Sequence, residues 1–262
     1  MIKRSVSILL SALMCISLVG CGEVSEEERE YVSPDQIQEV YTNPNDFKGK
    51  YIKVSGQVFS DVEKQGDEYG FQMLEDVKNN THNTVVLSTN EVHVDDFIEV
   101  DGRIDGVYSG SNMLGGDVKC LQISNATCKV IPAQDAVAPA ISVKEFNDEQ
   151  EQHGIKLVLE KIEFADSETR AFIKVVNNSD AKFDFFPYES KAIQNSKQIN
   201  ESSNYYYDSY DAFGSSIAPG AEVEGFIVFP NIDDKTDFKL IFEGYSDNYE
   251  IQVEPFEFNV SA

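Results

Sequence analysis

From Tyr51 onward the apolar residues of this chain fall at alternate positions in short runs, and each run ends at a cluster of turn residues. Side chains of a strand point to opposite faces in turn, so a period of two describes half-buried strands. The first run is Tyr51-Ile52-Lys53-Val54-Ser55-Gly56-Gln57-Val58-Phe59, with a glycine where a strand can bend sharply. Tyr69–Leu74, Thr84–Leu87, Phe97–Val107 and Val118–Ile131 are four more. Five strands with glycine bends predict a small closed barrel. Further runs follow at Gly154–Glu163, Arg170–Val176, Val223–Phe229, Lys239–Glu243 and Tyr249–Val260. Asn177–Asp180, Pro219-Gly220 and Asp233-Asp234 separate them, a pattern that fits an antiparallel β-sandwich. The fold class expected is therefore all-β, with a barrel followed by a sandwich. At 262 residues there is room for about two such units.

One helix is expected, ahead of the strands. Ser33 caps it, Pro34 takes the first helical position, and Gln36 completes a capping box. Val32 and Ile37 are placed to form a hydrophobic staple, Ile37, Val40 and Tyr41 form a short apolar face, and Asn43-Pro44 ends the helix. Ile131–Ala140, with two prolines and small residues, reads as an interdomain linker.

The opening residues carry an address. Lys3 and Arg4 precede an apolar stretch from Ser5 to Gly20, the layout of a secretory signal. That stretch is shorter than the roughly 20 residues a membrane-spanning helix needs. Leu18-Val19-Gly20-Cys21 resembles the lipobox of bacterial lipoproteins. The resemblance implies a diacylglycerol on Cys21, cleavage before it, and a protein held at the extracytoplasmic face of the membrane. Anchoring by two or more acyl chains is stable, whereas one chain holds only marginally.

Gly22–Glu30 carries five glutamates and reads as a solvated spacer. The expected division is a signal over 1–20, an acidic tether over 21–32, a barrel over 33–133, a linker over 134–141 and a sandwich over 142–262. Loss of residues 1–20 removes Lys3 and Arg4 and no acid, leaving 19 basic against 46 acidic residues, a net −27. A polyanion of this kind repels nucleic acid, whose binding rests on Lys and Arg neutralising phosphates. It also repels anionic headgroups, so the expected hold on the membrane is the lipid. Beyond Cys15 and Cys21 there remain Cys120 and Cys128. A hairpin about Asn125 would face them for a disulfide, whereas one extended strand would hold them roughly 26 Å apart, too far to bond.

Two further resemblances concern the fold. Asn45–Val58, Asp95–Ile104 and Ile123–Ile131 resemble the opening, fourth and last strands of the bacterial tRNA-anticodon-binding-like OB-fold family, over roughly 34–132. That likeness favours a single strand through Cys120 and Cys128. It does not carry nucleic-acid binding with it, because Asp61, Glu63, Asp67, Glu68, Asp95, Asp96 and Asp101 stand where basic and aromatic surface would be needed. Val175–Ser179, Ile217–Gly225 and Ile227–Phe229 resemble an uncharacterised Ig-like family of exported Gram-positive lipoproteins, often called telokin-like, over about 142–260. No catalytic residues come with it.

No coherent chemistry is legible, and the chain is read as not an enzyme. Ser179-Asp180-Ala181-Lys182 with Ser246-Asp247-Asn248 is similar to part of the penicillin-binding and serine β-lactamase set. However, Lys235-Thr236-Asp237 lacks the required glycine and precedes Ser246, and Ser179 sits in a turn between strands. His82, His93 and His153 are scattered and read as surface residues, and no ligand spacing calls for a metal or another cofactor. Glu91, Asp95, Asp96 and Glu99 lack the spacing of a calcium loop and read as a solvated acidic face. Tyr205, Tyr206, Tyr207 and Tyr210 are the most unusual local feature, set in a long polar loop from Asn195 to Ser216. Tyrosine among Ser and Asn is the composition of adaptable contact surfaces. The function expected is a non-catalytic binding or accessory module whose partner is an exported protein or a wall glycan. Rival expectations are an inhibitor or envelope-stress lipoprotein docking an exported enzyme, and a hydrolase of wall or glycan.

Overall fold

The structure is a computed structural model that describes residues 29–111, 116–202, 213 and 216–262. Cys21, Tyr205, Tyr206, Tyr207 and Tyr210 lie outside the described residues. The protein is all-β, with two units, as its alternation of apolar residues predicts.

The first unit begins earlier than the sequence suggests. Tyr31 bridges to Tyr51, Val32 N–H donates to the Tyr51 carbonyl at 2.8 Å, and Lys50 pairs with Glu30 at 2.6 Å. Residues 30–32 thus belong to the folded unit and not to a tether. Val32 is buried and Ile37 packs on the same cluster, as a staple would place them. A 3-10 turn over Pro34–Gln36 leads into α1, Ile37–Thr42. Ser33 and Gln36 form the expected capping box. The Gln36 Oε1 accepts from the Ser33 hydroxyl at 2.9 Å and from Ser33 N–H at 3.4 Å, while Gln36 N–H goes to the Ser33 carbonyl.

The strands are β1 Tyr51–Val58, β2 Glu63–Gln65, β3 Glu68–Asp76, β4 Thr81–Ser88, β5 Phe97–Ser111 and β6 Asp117–Val130. β1 pairs with β5, β5 with β6, β6 with β4 in parallel, β4 with β3, and β3 again with β1. Five strands thereby close a ring, and β2 folds back on β3. Ile52, Val54 and Val58 of β1, Phe71, Met73, Val86, Ile98, Val100, Ile104, Leu121 and Ile123 fill its interior, with Val40 of α1 closing over them. The closure needs Gly56. Gly56 faces Ile98 of β5, and its neighbour Gln57 faces both Phe97 of β5 and Leu74 of β3.

Cys120 and Cys128 stand on β6, opposite Tyr108 and Val100 of β5, and both are free. The disulfide does not form because β6 runs on through Asn125 and does not turn back there. The positive φ of 47° at Asn125 lies where the β5–β6 register shifts, so it accommodates a bulge. Burial pushes both thiols up from their ordinary pKa, which slows attack by the thiolate. Alkylation in denaturant without reductant is expected to label both cysteines, as read by intact mass. A mass retaining a 120–128 bridge would contradict this strand.

The stretch read as an interdomain linker contains α2, Ala133–Val137, with Pro132 at its N-cap and Pro139 just beyond its C-cap, Ala138. α2 packs against β1 and β5. The second unit follows: β7 Ser142–Gln152, β8 Ile155–Phe164, β9 Glu168–Asn177, β10 Phe183–Phe185, β11 Lys191–Gln194, β12 Lys197–Asn200, β13 Glu222–Pro230, β14 Phe238–Phe242, β15 Gly244–Ser246 and β16 Phe256–Val260. One sheet runs β13-β9-β8-β7, another β12-β11-β14-β16, and β10 pairs with β15. Residues of both four-stranded sheets share one core, in which Phe164 meets Phe238 and Phe242 meets Phe258 edge-on. That makes a sandwich.

Several of these strands escape a search for alternation. β7 reads SVKEFNDEQEQ and lies on an edge, where exposed polar residues discourage pairing with another chain. Its Gln150 and Gln152 reach the open edge of β16. The Gln152 amide donates to the Glu254 carbonyl and accepts from Glu254 N–H, both at 2.9 Å. Gln150 does the same with Glu257. Two side-chain amides thus stand in for a neighbouring strand. The run expected as strand from Tyr249 pairs only from Phe256, since Glu254 is occupied by Gln152. Where a loop is expected to begin, Asn195 and Ser196, both with positive φ, turn β11 directly into β12, so 197–200 are strand.

Candidate functional site

One end of the sandwich is aromatic and acidic. β10 and β15 pair so that Asp184 faces Tyr245. Phe183, Phe185 and Ser246 are buried, which by alternation turns Asp184 and Tyr245 outward. Phe186 follows β10, held by its N–H to the Glu243 carbonyl at 2.9 Å, and its ring lies 5.5 Å from that of Tyr245. Tyr188 stands exposed on the 3-10 turn Pro187–Glu189, and Tyr249 is 94% exposed on the turn after β15. Asp184, by hydrogen bonding and by its charge, pushes the Tyr245 hydroxyl up from its ordinary pKa, with Asp247 and Tyr249 adding to it. Asp184 Oδ1 is buried with no hydrogen-bond partner among the described residues. Large apolar surfaces left in water mark contact sites more often than isolated exposed side chains do.

Two concavities offer other places to bind. A groove of about 510 Å³ crosses the barrel between Ser60, Asp61, Gln72, Leu87, Tyr108 and Gln122. A cleft of about 550 Å³ lies between α1, β1 and α2, lined in part by Ile37, Lys53, Glu99, Asp135 and Val137. Lys53 there is committed to Glu99 at 3.0 Å, and Lys78 at its rim donates to Ser167 of the sandwich at 2.9 Å.

The sequence-level candidates fare differently. Pairing of β10 with β15 brings the S-x-x-K and S-D-N segments together, Asp247 N–H donating to the Lys182 carbonyl at 2.9 Å. Their serines do turn chemistry instead. The Ser179 hydroxyl lies 2.6 Å from Asn177 Oδ1, and the Ser246 hydroxyl accepts from Asn248 N–H at 3.2 Å. His82 is half-buried: its ring stacks on Tyr41 at 4.2 Å and its Nδ1 meets Glu75 at 2.6 Å. His93 is exposed, 3.6 Å from Asp96, and His153 turns β7 into β8 with a positive φ. Among the described residues no group of three His, Cys, Asp or Glu could hold a metal ion, and no helix is long and apolar enough to cross a membrane. Phe186, Tyr188, Tyr245 and Tyr249 were not singled out from the sequence as a contact surface. They come from segments some sixty residues apart, and only the β10–β15 pairing joins them. Each stands beside an acid in the sequence, or two residues from one, a weak signal on its own.

Residues 164–251 match the model of a domain of unknown function, DUF4352. The match spans β9 to β15 and leaves out β7, nearly all of β8, and β16. No curated protein matches the chain. Among solved structures, a functionally unknown protein from Listeria monocytogenes EGD-e is similar at 7% identity and a TM-score of 0.35, over 50% of this chain and 92% of the other.

Proposed function

We propose that this chain is a lipoprotein fixed through Cys21 to the extracytoplasmic face of the membrane, where it acts as a non-catalytic binding or accessory module. The observation that carries the binding role is the aromatic end of the sandwich, where Phe186, Tyr188, Tyr245 and Tyr249 stand in water beside carboxylates. The lipobox-like Leu18–Cys21 and the glutamate-rich stretch behind it support the anchorage. The barrel is OB-like in this reading, supported by its ring order β1-β5-β6-β4-β3 with β4 and β6 parallel. The second unit is Ig-like, supported by its facing antiparallel sheets.

Cys21→Ala is expected to release the protein into the medium, as measured by blotting membrane and medium fractions. Retention of the variant on the membrane would reject the lipid anchor. For the binding role, a photo-crosslinking amino acid at position 188 is expected to capture one exported partner on living cells. Capture no different from that at position 61 on the barrel would reject the aromatic end as the contact surface. A second reading, an inhibitor or stress lipoprotein docking an exported enzyme on its barrel, is favoured by the groove around Tyr108. Capture from position 61 alone would support it. Turnover of wall fragments by the pure protein would replace both readings with a hydrolase.

A further inference from the structure

The chemistry of the aromatic end restricts what can sit on it, given the contact role proposed above. At four rings elsewhere this protein places one of its own cations over the face. Arg29 lies over Tyr51 at 4.8 Å, Lys64 over Tyr69 at 4.9 Å, Lys144 over Phe164 at 5.8 Å and Lys161 over Phe172 at 4.2 Å. Among the described residues no cation lies over Phe186, Tyr245 or Tyr249 in this way. The neighbouring Lys191 is committed to Glu243 at 2.8 Å. Meanwhile Asp184, Glu189, Asp247 and Glu250 make no ion pair among the described residues, where Asp184 is hydrogen-bonded to Tyr245 and keeps its Oδ1 without a donor. Ring faces carry negative charge density and attract a cation within about 6 Å of the centroid. Surrounding carboxylates add to that attraction and repel an anionic partner.

We propose that this surface receives a lysine- or arginine-bearing segment of a partner protein. Its ammonium or guanidinium group lies over the rings of Phe186, Tyr245 and Tyr249 and is met by Asp184 and Asp247. A basic group would complete here what the protein's own lysines and arginine complete at Tyr51, Tyr69, Phe164 and Phe172. The net charge of −27 left after loss of residues 1–20 draws such a segment in from a distance, and the rings select where it docks.

The test uses the mature chain carrying Cys21→Ser, with hexalysine as probe and hexaglutamate and chitohexaose beside it. The chain has 12 tyrosines and no tryptophan, so tyrosine fluorescence reports binding directly. Hexalysine is expected to bind, and Phe186→Ser, Tyr245→Ser and Tyr249→Ser together to weaken it at least tenfold. Asp61→Asn with Glu63→Gln on the barrel should change it less than twofold. Should the triple variant lose its thermal transition, Tyr249→Ser alone serves, with an expected loss of about threefold, since that ring is almost wholly in water. Equal binding by the triple variant would mean general attraction to a polyanion and overturns the proposal. Binding of chitohexaose and not hexalysine also overturns it, and then position 188 should still capture a ligand on cells, leaving the contact role intact. Failure of every probe together with no capture from position 188 rejects both.

Discussion

Arg170→Ala is expected to cost the sandwich about 3–5 kcal/mol, the usual result of leaving buried charges without their partner. Arg170 is fully buried in β9, directly across from Glu163 of β8 and two residues from Glu168 on the same face. Its Nε and Nη2 donate to Glu163 Oε2 at 3.1 and 2.9 Å, and its Nη1 to Glu168 Oε1 at 2.8 Å. Lys161 takes the other Glu163 oxygen at 2.5 Å. The remaining bond of Nη1 goes to the Ala138 carbonyl at 2.7 Å, at the C-cap of α2. One guanidinium therefore neutralises two acids and fastens the helix between the units to the sheet. Alanine removes the cation and every one of those donors while the glutamates stay buried. Urea unfolding of variant and wild type measures the loss. Limited proteolysis should show faster cutting in 134–141, because α2 loses its hold on β9. Arg170→Met with Glu163→Leu and Glu168→Leu should recover much of the stability but not the protection of α2, which distinguishes the charge balance from the tether. A cost below about 1 kcal/mol for Arg170→Ala would mean that the network is solvated and unimportant.

Gly56→Val is the counterpart in the barrel, with an expected cost of about 3 kcal/mol or more, at the upper end for overpacking. A Cβ at Gly56 would stand 2.2 Å from the Leu74 carbonyl oxygen, which is backbone and cannot swing aside. At this point β1 leaves β5 for β3, so relieving the clash means opening the ring. Gly49→Ala offers the contrast. Gly49 has a φ of +94° but a Cβ there would meet nothing within 4 Å, so it bears only the conformational penalty of about 1–2 kcal/mol. Circular dichroism melts of both variants are expected to rank them in that order. The reverse order would mean that β1 and β3 are not clamped together at Leu74.

Much of the first unit could be read from residue order because its information is local. Ile52, Val54 and Val58 announce a face of β1, Pro34 and Pro44 bracket the helix, and Gly56 marks the bend. The missing pieces failed for a common reason. β7 has little apolar face because it lies on an edge, and β10, β11, β12 and β15 are three or four residues long, too short for a period to show. Residues 30–32 look like tether by composition, yet Tyr31 finds Tyr51 and Asp101, the latter through its hydroxyl at 2.9 Å. The histidines show the same limit, since nothing near His82 in the sequence reveals that Tyr41 will stack on it.

Alternation, turn residues and charge are properties of neighbours along the chain, and they were enough by themselves to determine a two-unit β protein with a strongly acidic surface. Contacts between distant segments decided the rest. Packing of β8 on β9 and of α2 on the barrel, and not composition, brings Glu163, Arg170 and Ala138 to one buried point. The single strand β6 keeps Cys120 and Cys128 apart. Phe186 and Tyr245 become one surface only where β10 meets β15. A strand's partner is chosen by the free energy of burying a whole face in a shared core, a quantity no local pattern carries.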